Sequence, residues 1–189
     1  MPSLSLIHHH FARGFTAIEL MVTVAILAVL AAIAAPSFNP LIERWKTRQA
    51  LEELQSSFYF ARSEAIKRGG GITITRSGDT TDCQAVGSDT SLWSCGWTVF
   101  ADANNEALQT ITVPAKVSIT FTDASSNAKL SEPIKVDRWG QFSAGSSTAN
   151  FVFRLMPEGG DNTQSSATSL CVSSGRIKRL NSGDGSCST

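Results

Sequence analysis

The sequence predicts an α+β protein: a long, kinked N-terminal α-helix packed on an antiparallel β-sheet or β-sandwich head. Three observations predict it. From Phe15 to Pro36 the chain is an apolar run whose one charge is Glu19, and no other follows until Glu43. Leu51, Leu54, Phe58, Ala61 and Ala65 then recur at spacings of three and four, the period of a helix that buries one face. Beyond Gly69-Gly70-Gly71 the period falls to two, most clearly where Val117, Ile119 and Phe121 alternate with Ser118, Thr120 and Thr122.

The 189 residues suit one domain plus an anchor. Sixteen Lys and Arg balance sixteen Asp and Glu, so no global field recruits nucleic acid or acidic partners, and any such binding needs a local patch. Apolar residues concentrate in the first helix, while the rest is rich in Ser, Thr, Gly and Asn. Cys83, Cys95, Cys171 and Cys187 all lie in the head. Behind an apolar anchor they read as two disulfides made in an oxidising compartment. Four cysteines admit three connectivities, of which nearest-neighbour pairing closes two short loops. Zinc is the weaker reading, because no Cys-x-x-Cys pair occurs.

In chain order, Met1 to Gly14 is a short leader holding His8, His9, His10 and Arg13. It reads as a polar leader rather than a metal tract. The apolar run that follows, roughly 20 residues, suffices to cross a bilayer as a helix. A carboxylate near its start is expensive to bury, so Glu19 is expected to have a task. Ala34-Ala35 would suit signal-peptide cleavage, but the run is longer than a signal's apolar region and Glu19 interrupts it. Pro36 should kink the helix, and Asn39-Pro40 reinforces the break. The second half carries Glu52, Glu53, Arg62, Glu64 and Lys67 on its polar side. Arg44, Lys46 and Arg48 read as helix-surface charges there rather than as a cytoplasmic flank. The glycine triplet ends the helix, which would reach about 80 Å from Phe15 if unbroken. Strands are predicted at 72–75, 97–100, 108–113, 117–122, 134–136 and 151–153, with turns at Asn104-Asn105 and Trp139-Gly140.

Gly14-Phe15-Thr16-x-Ile18-Glu19-Leu20 ahead of that run resembles the class III signal of type IV pilins and type II secretion pseudopilins. Phe60-Ala61-Arg62-Ser63-Glu64-Ala65-Ile66-Lys67-Arg68 and Gly96-Trp97-Thr98-Val99-Phe100-x-Asp102-x-Asn104 narrow the resemblance to the GspH/FimT/FimU family. It implies cleavage by a membrane-embedded aspartyl prepilin peptidase between Gly14 and Phe15, and N-methylation of Phe15. Residues 1–14 would then be a leader. Residues 15–42 would be the transmembrane and assembly half of the helix, and 43–189 an amphipathic half plus an extracytoplasmic head. The implied location is the bacterial inner membrane, single-pass with the head in the periplasm, and later the filament. Glu19 would neutralise the amino terminus of a neighbouring subunit, offsetting the desolvation of both charges. Its partners are other pilins, and the leading role is a minor pilin assembled at or near the pilus tip. A minor pseudopilin of type II secretion is one alternative, and a DNA-binding minor pilin acting in DNA uptake during natural transformation is another.

Enzyme chemistry is not expected, and neither is a cofactor or a metal. Every histidine sits in the leader, which leaves the head without a Ser-His or Cys-His pair. Gly69-Gly70-Gly71 lacks phosphate-loop spacing. Asp102, Asn104 and Glu106 could hold calcium, but a turn uses the same residue types. The remaining candidate is Gly175-Arg176-Ile177-Lys178-Arg179, a basic run between two cysteines. It resembles the Gly-Arg-x-Arg motif with which FimT-type minor pilins bind DNA, with Lys178 in place of the second arginine. Lysine keeps the charge and loses the bidentate fork. As a strand the run points Arg176 and Lys178 one way and Ile177 and Arg179 the other.

Overall fold

The computed structural model describes residues 14–34, 38–78, 83, 89–145, 150–161, 163–173, 175–181 and 187. They fall into two compact units, one ending at Asn39 and one beginning at Pro40. The first contains helix α1, Ala17–Ala34. Its start is a capping box. Thr16 Oγ1 accepts the Glu19 N–H at 3.3 Å, while Glu19 Oε2 accepts the Thr16 N–H at 3.0 Å and its hydroxyl at 2.9 Å. Pro36, the expected kink, lies outside the described residues, as do residues 1–13 of the leader.

The second unit opens with α2, Asn39–Arg68, and Pro40 sits in its first turn, where a missing N–H goes unnoticed. At the other end Gly69 and Gly70 take φ of 80° and 106°, and the Gly70 N–H reaches the Ala65 carbonyl at 2.7 Å. This six-residue closure is a Schellman ending, which the glycines make accessible.

Among the described residues nine strands follow: β1 Ile72–Arg76, β2 Trp97–Ala101, β3 Glu106–Ile111, β4 Val117–Asp123, β5 Ile134–Val136, β6 Phe142–Ala144, β7 Asn150–Pro157, β8 Thr168–Ser173 and β9 Arg176–Asn181. They form two antiparallel sheets, β3-β2-β1-β5-β6 and β4-β7-β8-β9. Both lay their apolar faces on α2. The predicted strands at 72–75, 97–100, 117–122 and 134–136 match closely. The strand expected at 108–113 begins at Glu106 and ends at Ile111, because Asn104 and Glu106 close the preceding turn side chain to backbone (Glu106 N–H to Asn104 Oδ1, 3.4 Å). That contact favours the turn over the calcium reading of this triplet. β6 and β8 were not predicted.

Ala50, Leu51, Leu54, Phe58, Ala61 and Ala65 are the buried face of α2, as their spacing requires. Small residues on this stripe let both sheets approach, and Phe58 fills the space between them. Its ring lies 4.9 Å from Phe142 of the first sheet and 5.8 Å from Phe153 of the second, both edge-on. Trp93 and Phe121 extend the cluster, the latter stacked on Phe153 at 4.6 Å. Trp97 is fully buried, and its Nε1–H is satisfied by Ser57 Oγ at 2.9 Å. Gly96 has no substitute here: its φ is 112° and a Cβ would lie 2.0 Å from the Ile111 carbonyl oxygen.

Candidate functional site

Three regions carry the residues singled out from the sequence. The first is the amino-terminal segment. Gly14 has nothing within 4 Å of a notional Cβ, so packing within the described chain does not ask for a glycine there. Phe15 is 81% exposed. Along α1, Ile18, Met21, Val24, Leu27 and Leu30 stand more than half exposed on successive turns, and Val22, Ile26, Val29 and Ile33 do so around them. A helix that is apolar all round needs lipid or other helices to cover it. Its 18 residues span about 27 Å, slightly short of a hydrocarbon core of about 30 Å. Among the described residues no helix is long and apolar enough to cross a membrane. Glu19 is exposed at the amino-terminal end of this surface, oriented by Thr16.

The second region is the pair of disulfides. Cys83 is joined to Cys95 and Cys171 to Cys187, with Cα separations of 5.5 and 5.7 Å. Of the three connectivities left open by the sequence, the structure adopts the nearest-neighbour one. Cys171, Val152 and Leu180 form a small second core on the outer face of the β4-β7-β8-β9 sheet, with Cys187 packed over it.

The third region is the basic run, which forms edge strand β9. It pairs with β8 in the register Ser173–Arg176, Cys171–Lys178 and Leu170–Arg179. Arg176 and Lys178 therefore lie on the outer face with Cys171. Arg154 lies on that face too, donating to Thr122 Oγ1 at 2.8 Å and Asn127 Oδ1 at 2.6 Å. By alternation, the strand positions of this face hold these three cations, Asn150, Ser, Thr and apolar residues, and no carboxylate. Arg179 points the other way, towards α2, where its Nε donates to Gln55 and its Nη1 lies 3.7 Å from Glu52. The structure thus keeps Arg176 with Lys178 and separates Arg179 from both.

One residue escaped sequence reasoning. Arg62 lies half-buried on α2, and its Nε donates to the Gly140 carbonyl at 3.0 Å while its Nη2 donates to that of Gly175. The guanidinium sits over Phe142, 4.9 Å from the ring centre. It joins the β5–β6 turn of one sheet to the β8–β9 turn of the other, just before Arg176. In sequence it is one of several charges on a helical polar face, with nothing to mark it.

Comparison with known proteins agrees with this architecture. The family model for Type II transport protein GspH matches residues 50–176, and that for the prokaryotic N-terminal methylation motif matches residues 10–35. A fimbrial protein of Pseudomonas aeruginosa is 42% identical over 60 residues, covering 32% of this chain and 38% of that protein. Fimbrial protein Q of Moraxella bovis is 45% identical over 42 residues, 22% of this chain and 27% of its own. The match thus spans well under half the length of these curated relatives. A crystal structure of the type IV minor pilin FimU of Pseudomonas aeruginosa superposes with a TM-score of 0.53 at 20% identity, over 78% of this chain and 99% of that one. The fold is the one that structure shows.

A methylation motif, an apolar helix and a helix-backed antiparallel head define a type IV pilin-like protein. The chain belongs to the GspH family of such proteins, which takes in minor pilins and pseudopilins.

Proposed function

We propose that this chain is a minor type IV pilin. Prepilin peptidase cuts between Gly14 and Phe15, and Phe15 is N-methylated. The segment to residue 42 holds the subunit in the inner membrane as a single pass, with residues 43–189 in the periplasm. The same helix then enters the pilus, at or near its tip, among other pilins. The observation that carries this reading is α1, which is apolar around its whole circumference and headed by an oriented, exposed carboxylate. In a filament the capped Glu19 faces the amino terminus of a neighbour, and pairing the two sets the axial register. The fimbrial relatives support a pilus. Mass spectrometry of the mature protein should find a methylated Phe15 at its start. A Glu19→Ala variant should be cleaved yet missing from sheared pili; incorporation at the normal level would overturn the pairing role.

The family match also supports a type II secretion pseudopilin. Deletion of the gene separates the two readings, according to whether piliation or secretion of folded enzymes is lost.

Binding of DNA is a further reading, favoured by the outer-face strand positions, which hold Arg154, Arg176 and Lys178 and, among the described residues, no carboxylate. Contacts there would be to phosphates and would weaken steeply with salt. Equal gel-shift affinity for the wild type and an Arg176→Ala, Lys178→Ala variant would eliminate this site.

A further inference from the structure

Arg44 and Arg48 stand one turn apart near the start of α2, so their side chains share a helix face. That face meets the far end of β8 and β9 across a cleft of about 440 Å³. Arg179 enters from β9, and Ser165, Thr168 and Asn181 complete the polar wall. Arg44 Nη2 donates to Ser165 Oγ at 2.5 Å, which fixes its guanidinium at the mouth. Among the described residues Arg48 has no carboxylate within ion-pair distance, and Arg179 has Glu52 alone, at 3.7 Å. Three cations line one cleft with a single carboxylate, which pairs with Arg179.

We propose that this cleft binds a phosphoester. Charged donors outnumber charged acceptors among its lining residues: the guanidiniums of Arg44, Arg48 and Arg179 stand against the single carboxylate of Glu52, while the Thr168 hydroxyl is already given to the Leu180 carbonyl at 3.0 Å. Such a wall suits a ligand that is all acceptor and carries several oxygens, because guanidinium forks bind phosphate oxygens bidentately. A carboxylate, with two oxygens and one charge, would leave most of these donors unused. The volume is that of a small-molecule site and far exceeds a bare ion, which leaves room for the esterified alcohol. Glu52 can accept that alcohol's remaining hydroxyl. The site is separate from the β9 outer face, since Arg179 points away from Arg176 and Lys178. It does not rest on the assembly reading. Arg44 follows the last residue of α1 by ten positions, so in a membrane-anchored subunit a lipid headgroup is one source of the phosphoester, and a soluble phosphate ester is the other.

The test uses the full chain with its arginine Nε–Hε groups observed by NMR. In zwitterionic detergent at constant ionic strength, glycerol 1-phosphate should shift Arg44, Arg48 and Arg179 saturably, and glutamate should not. Arg44→Gln with Arg48→Gln should weaken the binding about tenfold or more, as expected for lost charge-assisted contacts. Lys135→Gln, an exposed cation on the other sheet, should leave it unchanged. In nanodiscs, a shift produced by phosphatidylglycerol over the phosphate-free digalactosyldiacylglycerol that blocks further response to glycerol 1-phosphate assigns the lipid source. An undiminished response to the soluble ester in both membranes assigns the soluble source. Equal response to glutamate, or equal weakening by Lys135→Gln, reduces the effect to surface screening and overturns the proposal, as does no response to either source. Normal processing and piliation of the double arginine variant would leave the filament reading intact in each case.

Discussion

Replacing Arg62 by alanine removes one side chain that holds two turns from different sheets. Its Nε–H and Nη–H go to the Gly140 and Gly175 carbonyls. Hydrogen bonds from a charged donor are worth roughly 1.5–3 kcal/mol each, and half-burial places these at the low end, about 3 kcal/mol together. The contact with Phe142, at 4.9 Å, adds about 0.5–1 kcal/mol. The expected loss is therefore about 3–4 kcal/mol, a large share of the stability of any domain this size. Urea titration of the full chain in non-ionic detergent can follow it through the buried Trp93 and Trp97. Arg62→Lys sharpens the measurement, because one ammonium keeps the charge and cannot reach both carbonyls along two separate N–H vectors. It should recover less than half of the loss. A loss below about 1 kcal/mol for the alanine variant, typical of an ordinary surface change, would refute the idea that Arg62 ties the sheets.

Other perturbations test neighbouring parts of the argument. Phe58→Ala should lower stability by about 3–5 kcal/mol in the same titration, since a fully buried ring touching both sheets leaves a cavity that neither can close. Asp123 Oδ1 accepts the Ser126 N–H and the Ser125 and Ser126 hydroxyls, which lower its pKa to about 2, and the Lys129 ammonium with Ser91 does the same for Asp89. Both pKa values are depressed on folding, so their stabilisation is whole above the unfolded value of about 4 and drains away between about pH 4 and 2. Asp123→Asn should flatten that decline, and an unchanged acid transition would remove Asp123 from the account. Replacing Cys171 and Cys187 together by serine should cost about 3 kcal/mol, as expected for opening a loop of sequence separation 16, with the loss read from the urea midpoint.

Sequence legibility followed how far each pattern depends on distant partners. The buried stripe of α2 and the alternation of β4 are properties of single segments, and both were readable. β8 was not, because Cys171 sits on the outer face yet is buried under its disulfide, which turns an alternating Leu170–Val172 strand into an unbroken Leu-Cys-Val triplet. β6 has three residues and exists as a strand through its pairing with Val136 and its neighbours. Glu19 stands out in sequence for its place in an apolar run, and the Thr16-x-x-Glu19 spacing also spells the capping box that the structure forms. The role of Arg62 depends on two carbonyls brought from 78 and 113 residues away, which no local pattern can show. The Arg44, Arg48 and Arg179 cleft was hidden for the same reason.

The Phe58 ring has a mechanical consequence. Because the Phe58 side chain of α2 has an aromatic neighbour on each sheet, a pull along the helix axis is shared between the sheets from the start of strain. Neither sheet can be peeled off before the other takes load. Arg62, one turn further along, clamps the turns at that same level, so slippage of the helix would have to break packing and hydrogen bonds together. A subunit built this way yields all at once under tension or not at all.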